Sequence, residues 1–159
     1  MALDPDVEAL SFLLGKWQGE GTGEYPTIQP FAFREELLFE CNGKPFLSYS
    51  QKTWSLEDDS PMHSETGFLR LAGPAPRRLE IVVAHSTGLV EVSEGILEPG
   101  KIELISTNVH GTSTAKTVTA IGRSIIVTGD IFKYRLRMAA GGLPAHHHLS
   151  GELQKVESS

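Results

Sequence analysis

Between residues 131 and 140 apolar and charged side chains alternate without a break. Phe132, Tyr134, Leu136 and Met138 fall in one phase, and Lys133, Arg135 and Arg137 in the other. A period of two is the geometry of a strand with one face in an apolar interior and the other in water. Residues 78–83 repeat the pattern, with Leu79, Ile81 and Val83 opposed to Arg78 and Glu80. Runs rich in β-branched and aromatic residues recur along the chain and predict strands over 16–25, 30–40, 45–55, 62–71, 78–85, 88–96, 101–107, 114–128, 131–140 and 146–156. The breaks carry turn chemistry: Asn42-Gly43, Asp58-Asp59-Ser60-Pro61, Gly73-Pro74, Thr87-Gly88, Pro99-Gly100, Thr128-Gly129-Asp130 and Gly141-Gly142.

One segment breaks the pattern. Residues 4–14 predict a short helix, with Asp4 as N-cap, Pro5 at the first helical position, an apolar stripe of Leu10, Leu13 and Leu14, and Gly15 as the stop. The expected fold is therefore all-β, an antiparallel sheet of about ten strands closed into a barrel, with a short N-terminal helix. Closure removes the edges that consecutive hairpins would otherwise expose. Side chains alone do not fill a barrel this wide, so an internal ligand cavity is expected. No repeat or linker interrupts residues 1–159, which read as one domain, and the tail at 156–159 is expected to fray.

Composition narrows the function. A chain that is 40% hydrophobic and 21% charged is not disordered, and a net charge of −6 without a basic run does not suit nucleic acid or an anionic membrane. A single cysteine, Cys41, excludes an intramolecular disulfide and reads as a half-buried residue near a turn. The N-terminus lacks a basic region followed by an apolar run, and no window is long enough to span a bilayer as a helix, so a cytoplasmic location is expected. Nothing in the sequence marks an obligate protein partner.

Four segments carry candidate chemistry. The glycines at 15, 19, 21 and 23 lack the lysine–hydroxyl pair and the helix of a phosphate loop. At alternate strand positions they predict a bent first strand with close approaches and Trp17 plugging the barrel floor. His63, beside Met62, opens a strand, and His85 extends the inward face of Leu79, Ile81 and Val83. His146, His147 and His148 are consecutive, so at most His146 and His148 share a side, and two ligands do not complete a zinc tetrahedron. One histidine directed into an apolar pocket does suit haem iron.

These segments together resemble the nitrobindins. The resemblance rests on Gly15-x-Trp17-x-Gly19-x-Gly21 followed by Tyr25-Pro26-Thr27-Ile28, then His63-Ser64-Glu65-Thr66-Gly67, then His148-Leu149, in order over about residues 10–156. It implies a ten-stranded antiparallel barrel of the lipocalin or fatty-acid-binding-protein kind that binds one haem b per chain with ferric iron, isomerises peroxynitrite to nitrate and binds nitric oxide. Carried over by position, His148 is the axial ligand and Lys116 contacts haem, where a cation would meet the anionic propionates. Thr27, Met62, His63, His85 and Met138 fall on cofactor-binding positions.

The strand pattern resists at one point. Plain alternation from His148 groups it with Ser150 and Glu152, a polar face. Either His148 precedes the regular strand or a bulge near Gly151 resets the phase. Two other functions fit the same barrel. One is a carrier of a fatty acid or another apolar ligand, for which Arg34 and Lys52 are the candidate carboxylate-binding cations. The other is a nitric-oxide store or sensor with the same haem and no turnover.

Overall fold

The computed structural model describes residues 3–73 and 77–156. Pro74 of the predicted Gly73-Pro74 turn and the tail after Val156 lie outside them. Ten strands follow in order: β1 (Gly15–Tyr25), β2 (Ile28–Glu40), β3 (Leu47–Ser55), β4 (Pro61–Ala72), β5 (Arg77–His85), β6 (Leu89–Glu98), β7 (Lys101–Gly111), β8 (Val118–Thr128), β9 (Ile131–Ala140) and β10 (His146–Val156). Each pairs antiparallel with its chain neighbour, and β10 returns to β1, so the sheet is the closed barrel that the alternation predicts. The main boundary difference lies between β7 and β8. β7 runs to Gly111 and β8 starts at Val118, because residues 112–117 form a turn. Thr112 N–H donates to Gly88 O at 2.9 Å, and Ala115 N–H to Thr112 O at 3.1 Å.

The N-terminal segment Pro5–Leu13 is a 3₁₀ helix, capped by Asp4, whose side chain accepts from Asp6 N–H at 2.8 Å. Its buried residues are Val7, Leu10 and Leu13, a spacing of three, whereas Leu14 is only half-buried. Side chains three apart eclipse on a 3₁₀ helix, so a three-residue repeat keeps one face on the barrel where the predicted stripe of Leu10, Leu13 and Leu14 would not. This face closes one end of the barrel. It belongs to an apolar cluster with Trp17, Phe39, Leu47, Leu69, Leu79, Ile102, Phe132 and Leu153. Trp17 is fully buried, and its indole N–H donates to Leu13 O at 2.8 Å, which ties the helix to the first strand. A second apolar cluster of Leu89, Val118, Ile121 and Leu136 lies apart from the first.

The glycines of β1 and β10 clear the barrel wall between those clusters. Gly21 and Gly151 are cross-strand partners and both face inward. A Cβ at Gly21 would come within 2.6 Å of the Phe33 ring, and one at Gly151 within 2.6 Å of the Tyr134 ring. Tyr134 stands on β9 and donates its phenol to Glu35 on β2 at 2.7 Å, across both intervening strands. The ring can lie there only because neither strand puts a side chain beneath it. Gly151→Ala is therefore expected to cost about 1–3 kcal/mol by overpacking, read as a lower urea midpoint. Unchanged stability would show that the ring has room to move aside.

Candidate functional site

Midway along the barrel, inward positions change from apolar to charged. Arg123 on β8 is almost completely buried. Its Nη2 and Nε reach the two oxygens of Glu91 on β6 at 2.6 and 3.0 Å, and its Nη1 reaches Glu65 Oε2 on β4 at 2.9 Å. Ser93 donates to Glu91 at 2.6 Å and Tyr49 donates to Glu65 at 3.0 Å. Burial alone would raise both carboxyl pKa values. The Arg123 charge and the hydrogen bonds of His63 to Glu65 and His85 to Glu91 overcome it and hold both groups well below the usual carboxylate range. Glu35 has no such cation against it. Burial pushes its carboxyl up to about 7, against the opposing hydrogen bonds of Tyr134 and Gln51.

Above this belt lies a cavity of about 770 Å³, within the range of cofactor-sized pockets. Phe31, Phe33, Leu89, Ile121, Leu136 and Leu149 make much of its wall. Thr27, Met62, His63, His85, Lys116, Met138 and His148, all singled out from sequence, line this one cavity. They arrive from six different places: the β1–β2 turn, β4, β5, the turn before β8, β9 and β10. Thr27, Met62 and Lys116 are exposed at its rim, whereas His63, His85, Met138 and His148 are half-buried. Arg34 and Lys52, considered for a carboxylate ligand, lie instead on the outer surface. Arg34 bonds Asp59 at 2.9 Å and covers Trp54, and Lys52 is exposed.

His148 reaches the cavity through a break in the strand. The β10–β9 register shifts between His147 and Leu149: His147 faces Arg137 and Leu149 faces Leu136, so His148 is the extra residue. The predicted reset near Gly151 thus sits at the histidine itself. A bulge lets two successive side chains turn inward, which regular pleating forbids, and both His148 and Leu149 line the cavity. Of the three consecutive histidines only His148 does so among the described residues. His146 is turned to Pro144 O at 2.7 Å, and His147 pairs with the outward-facing Arg137.

The electronic state of His148 follows from its partners. A carbonyl only accepts, so Nδ1 carries the proton that Glu24 O takes at 3.0 Å. Burial lowers the pKa of the ring against the raising effect of that hydrogen bond, favouring the neutral form. Nε2 then holds a lone pair. Tyr25 stands edge-on to the ring at 5.7 Å between centroids and Phe31 at 6.4 Å. Tyr25 is itself fixed to β9, accepting from Ala140 N–H at 2.9 Å and donating to Met138 O at 3.1 Å. A chamber of mostly apolar wall, with the neutral imidazole of His148 on one side and a cation at its rim, fits haem: one nitrogen ligand for iron, apolar walls for the macrocycle and Lys116 for a propionate.

The buried belt was not recognised from sequence. Its signal is a charge in the inward phase. Glu35 lies between Phe33 and Leu37, Glu65 keeps step with Gly67 and Leu69, Glu91 follows Leu89, and Arg123 falls between Ile121 and Ile125.

A closed antiparallel barrel whose chamber has mostly apolar walls and receives the imidazole of His148 fits the class of haem-binding β-barrels. Residues 6–155 match the family described as the THAP4-like, heme-binding beta-barrel domain, and the chain belongs to this family. It is 47% identical to "Peroxynitrite isomerase 2" of Mycobacterium marinum over 157 residues, covering 96% of each chain. Against "Peroxynitrite isomerase" of Nocardia farcinica the identity is 46% over 159 residues, covering 98% of this chain and 94% of that one. The crystal structure of Rv2717c from M. tuberculosis superposes with a TM-score of 0.91 at 42% identity, covering 98% of this chain and all of that one. The nitrobindin resemblance read from the motifs agrees with these matches. No helix among the described residues is long and apolar enough to cross a membrane.

The raised Glu35 pKa makes stability depend on pH. Unfolded, the carboxyl titrates near 4.5; folded, near 7. Between these values the folded chain binds more protons, so this contribution is full below about pH 4.5 and is lost as pH rises through 7. The loss is on the order of 3 kcal/mol. Urea unfolding of the parent is expected to lose stability between pH 5 and 8 relative to Glu35→Gln. Parallel curves for the two would contradict the assignment.

Proposed function

We propose that this chain is a haem protein that isomerises peroxynitrite to nitrate. The observation that carries this is the neutral Nε2 of His148 at the wall of a chamber lined mostly by apolar side chains. The names of relatives at 43–47% identity support the reaction. Bound haem b supplies a ferric iron that acts as a Lewis acid on peroxynitrite and promotes rearrangement of its O–O bond.

The protein's own contribution is positioning and exclusion. His148 would hold the iron through Nε2, and the Glu24 carbonyl fixes the ring and its tautomer. Tyr25 and Phe31 brace the imidazole, and Lys116 pairs with a propionate at the rim. Leu89, Ile121, Leu136 and Leu149 keep water from the reacting atoms. Peroxynitrite and nitrate have the same atoms and charge, so the isomerisation has no net proton change and needs no dedicated general base. Haem held by His148 would also bind nitric oxide. We place the protein in the cytoplasm, in keeping with a fold whose one cysteine, Cys41, is unpaired.

Stopped-flow mixing of haem-loaded protein with peroxynitrite tests the reading. Catalytic decay with nitrate as product is expected, and none from the haem-free chain. Tight nitric-oxide binding without accelerated decay would favour a store or sensor. Lys116→Ala is expected to raise the haem dissociation constant about two- to fivefold, the scale of one exposed ion pair. No change would remove Lys116 from the site.

A further inference from the structure

His63 Nε2, His85 Nδ1 and Glu65 Oε1 converge on one point in the cavity wall. Their separations are 3.2 Å between the two histidine nitrogens, 3.0 Å from His63 to Glu65, and 3.6 Å from His85 to Glu65. Two imidazoles and one carboxylate are the donor set of many three-ligand zinc sites. Four ligands at bond lengths of 2.0–2.2 Å form a tetrahedron with edges of about 3.3–3.6 Å. The three observed separations bracket that edge to within a few tenths of an ångström. One face of a coordination tetrahedron is therefore already built.

The surroundings orient each ligand. His85 Nε2 donates to Glu91 at 2.9 Å, which leaves the lone pair of the neutral ring on Nδ1, facing the other two donors. A carboxylate behind a ligating imidazole is the usual support of a metal-bound histidine. Arg123 and Tyr49 take Glu65 Oε2 and leave Oε1 free to face the histidines. The local charge also calls for a cation. Glu65 and Glu91 are two carboxylates with one guanidinium between them.

We propose that His63, Glu65 and His85 form a binding site for one divalent transition-metal ion of the zinc class, in the wall of the haem cavity and separate from the haem ligand. Arg123, Tyr49 and Glu91 stand behind the three donors, so the fourth coordination position opens to the cavity that all three line. An anionic fourth ligand such as hydroxide would neutralise the cluster. The proposal is independent of His148, because the three ligands come from β4 and β5 alone.

The test is equilibrium dialysis of chelator-treated protein against Zn2+, with and without loaded haem, and zinc counted per chain. One zinc per chain is expected in both states. Co2+ in the haem-free chain should give the visible absorption of a tetrahedral site. His85→Gln retains an amide donor for Glu91 but removes the ligand, and is expected to weaken zinc binding by more than about a hundredfold while the far-ultraviolet circular dichroism of the barrel is kept. His63→Gln provides the same reading where His85→Gln fails to fold. The double variant His146→Ala/His147→Ala should keep its zinc. Absence of stoichiometric zinc in the parent, zinc unaffected by both glutamine variants, or zinc lost with His146 and His147 would each overturn the proposal.

Discussion

Arg123 lies out of water between Glu65 and Glu91, and the rest of the interior is arranged around it. A buried guanidinium is tolerable only with its charge and donors matched, and removing one partner of such a set leaves a charge stranded in low dielectric. Its contacts reach β4 and β6 from β8 and fix the depth of a polar belt across the barrel. Below the belt, Trp17, Phe132 and the 3₁₀ helix pack a solid apolar floor. Above it, no large side chain crosses, and the space remains a chamber of about 770 Å³. The barrel's width makes a cavity inevitable; the belt decides where it stops.

Two departures from regular strand geometry then serve the chamber. Gly151 leaves room for the Tyr134 ring, which reaches across two strands to Glu35 and completes the belt on its far side, and its partner Gly21 leaves room for Phe33. The bulge at His148 turns a second consecutive side chain inward without sacrificing Leu149 from the wall. Both are local, and both lie on β10 or its partner β1. The strands at the seam thus carry both, although the register also shifts between β3 and β4, β6 and β7, and β8 and β9.

Much of the fold was legible because it rests on local signals. Alternation in 131–140 and 78–83, together with glycine-rich turns, specified strands whose order needed only hairpin connections and closure. The helix type was not legible: Leu10, Leu13 and Leu14 satisfy an α-helical stripe, while burial of Val7, Leu10 and Leu13 requires contact with a floor that sequence does not display. The seven cavity residues came from motif resemblance, except that strand phase alone also put His85 and Met138 inside. The phase of His148 failed because a bulge adds a residue without any composition that announces it. The belt was readable in principle. Glu35, Glu91 and Arg123 each stand in an apolar phase, and four inward charges of mixed sign in one barrel imply that they meet.

The central claim is that a neutral His148, held by Glu24 and delivered by the bulge, is the protein's iron ligand. Absorption titration with ferric haem, comparing the parent with His148→Ala and with His146→Ala/His147→Ala, addresses it most directly. The account predicts a saturable Soret band at one equivalent in the parent and in the double variant, and its loss in His148→Ala. An unchanged band in His148→Ala would contradict it.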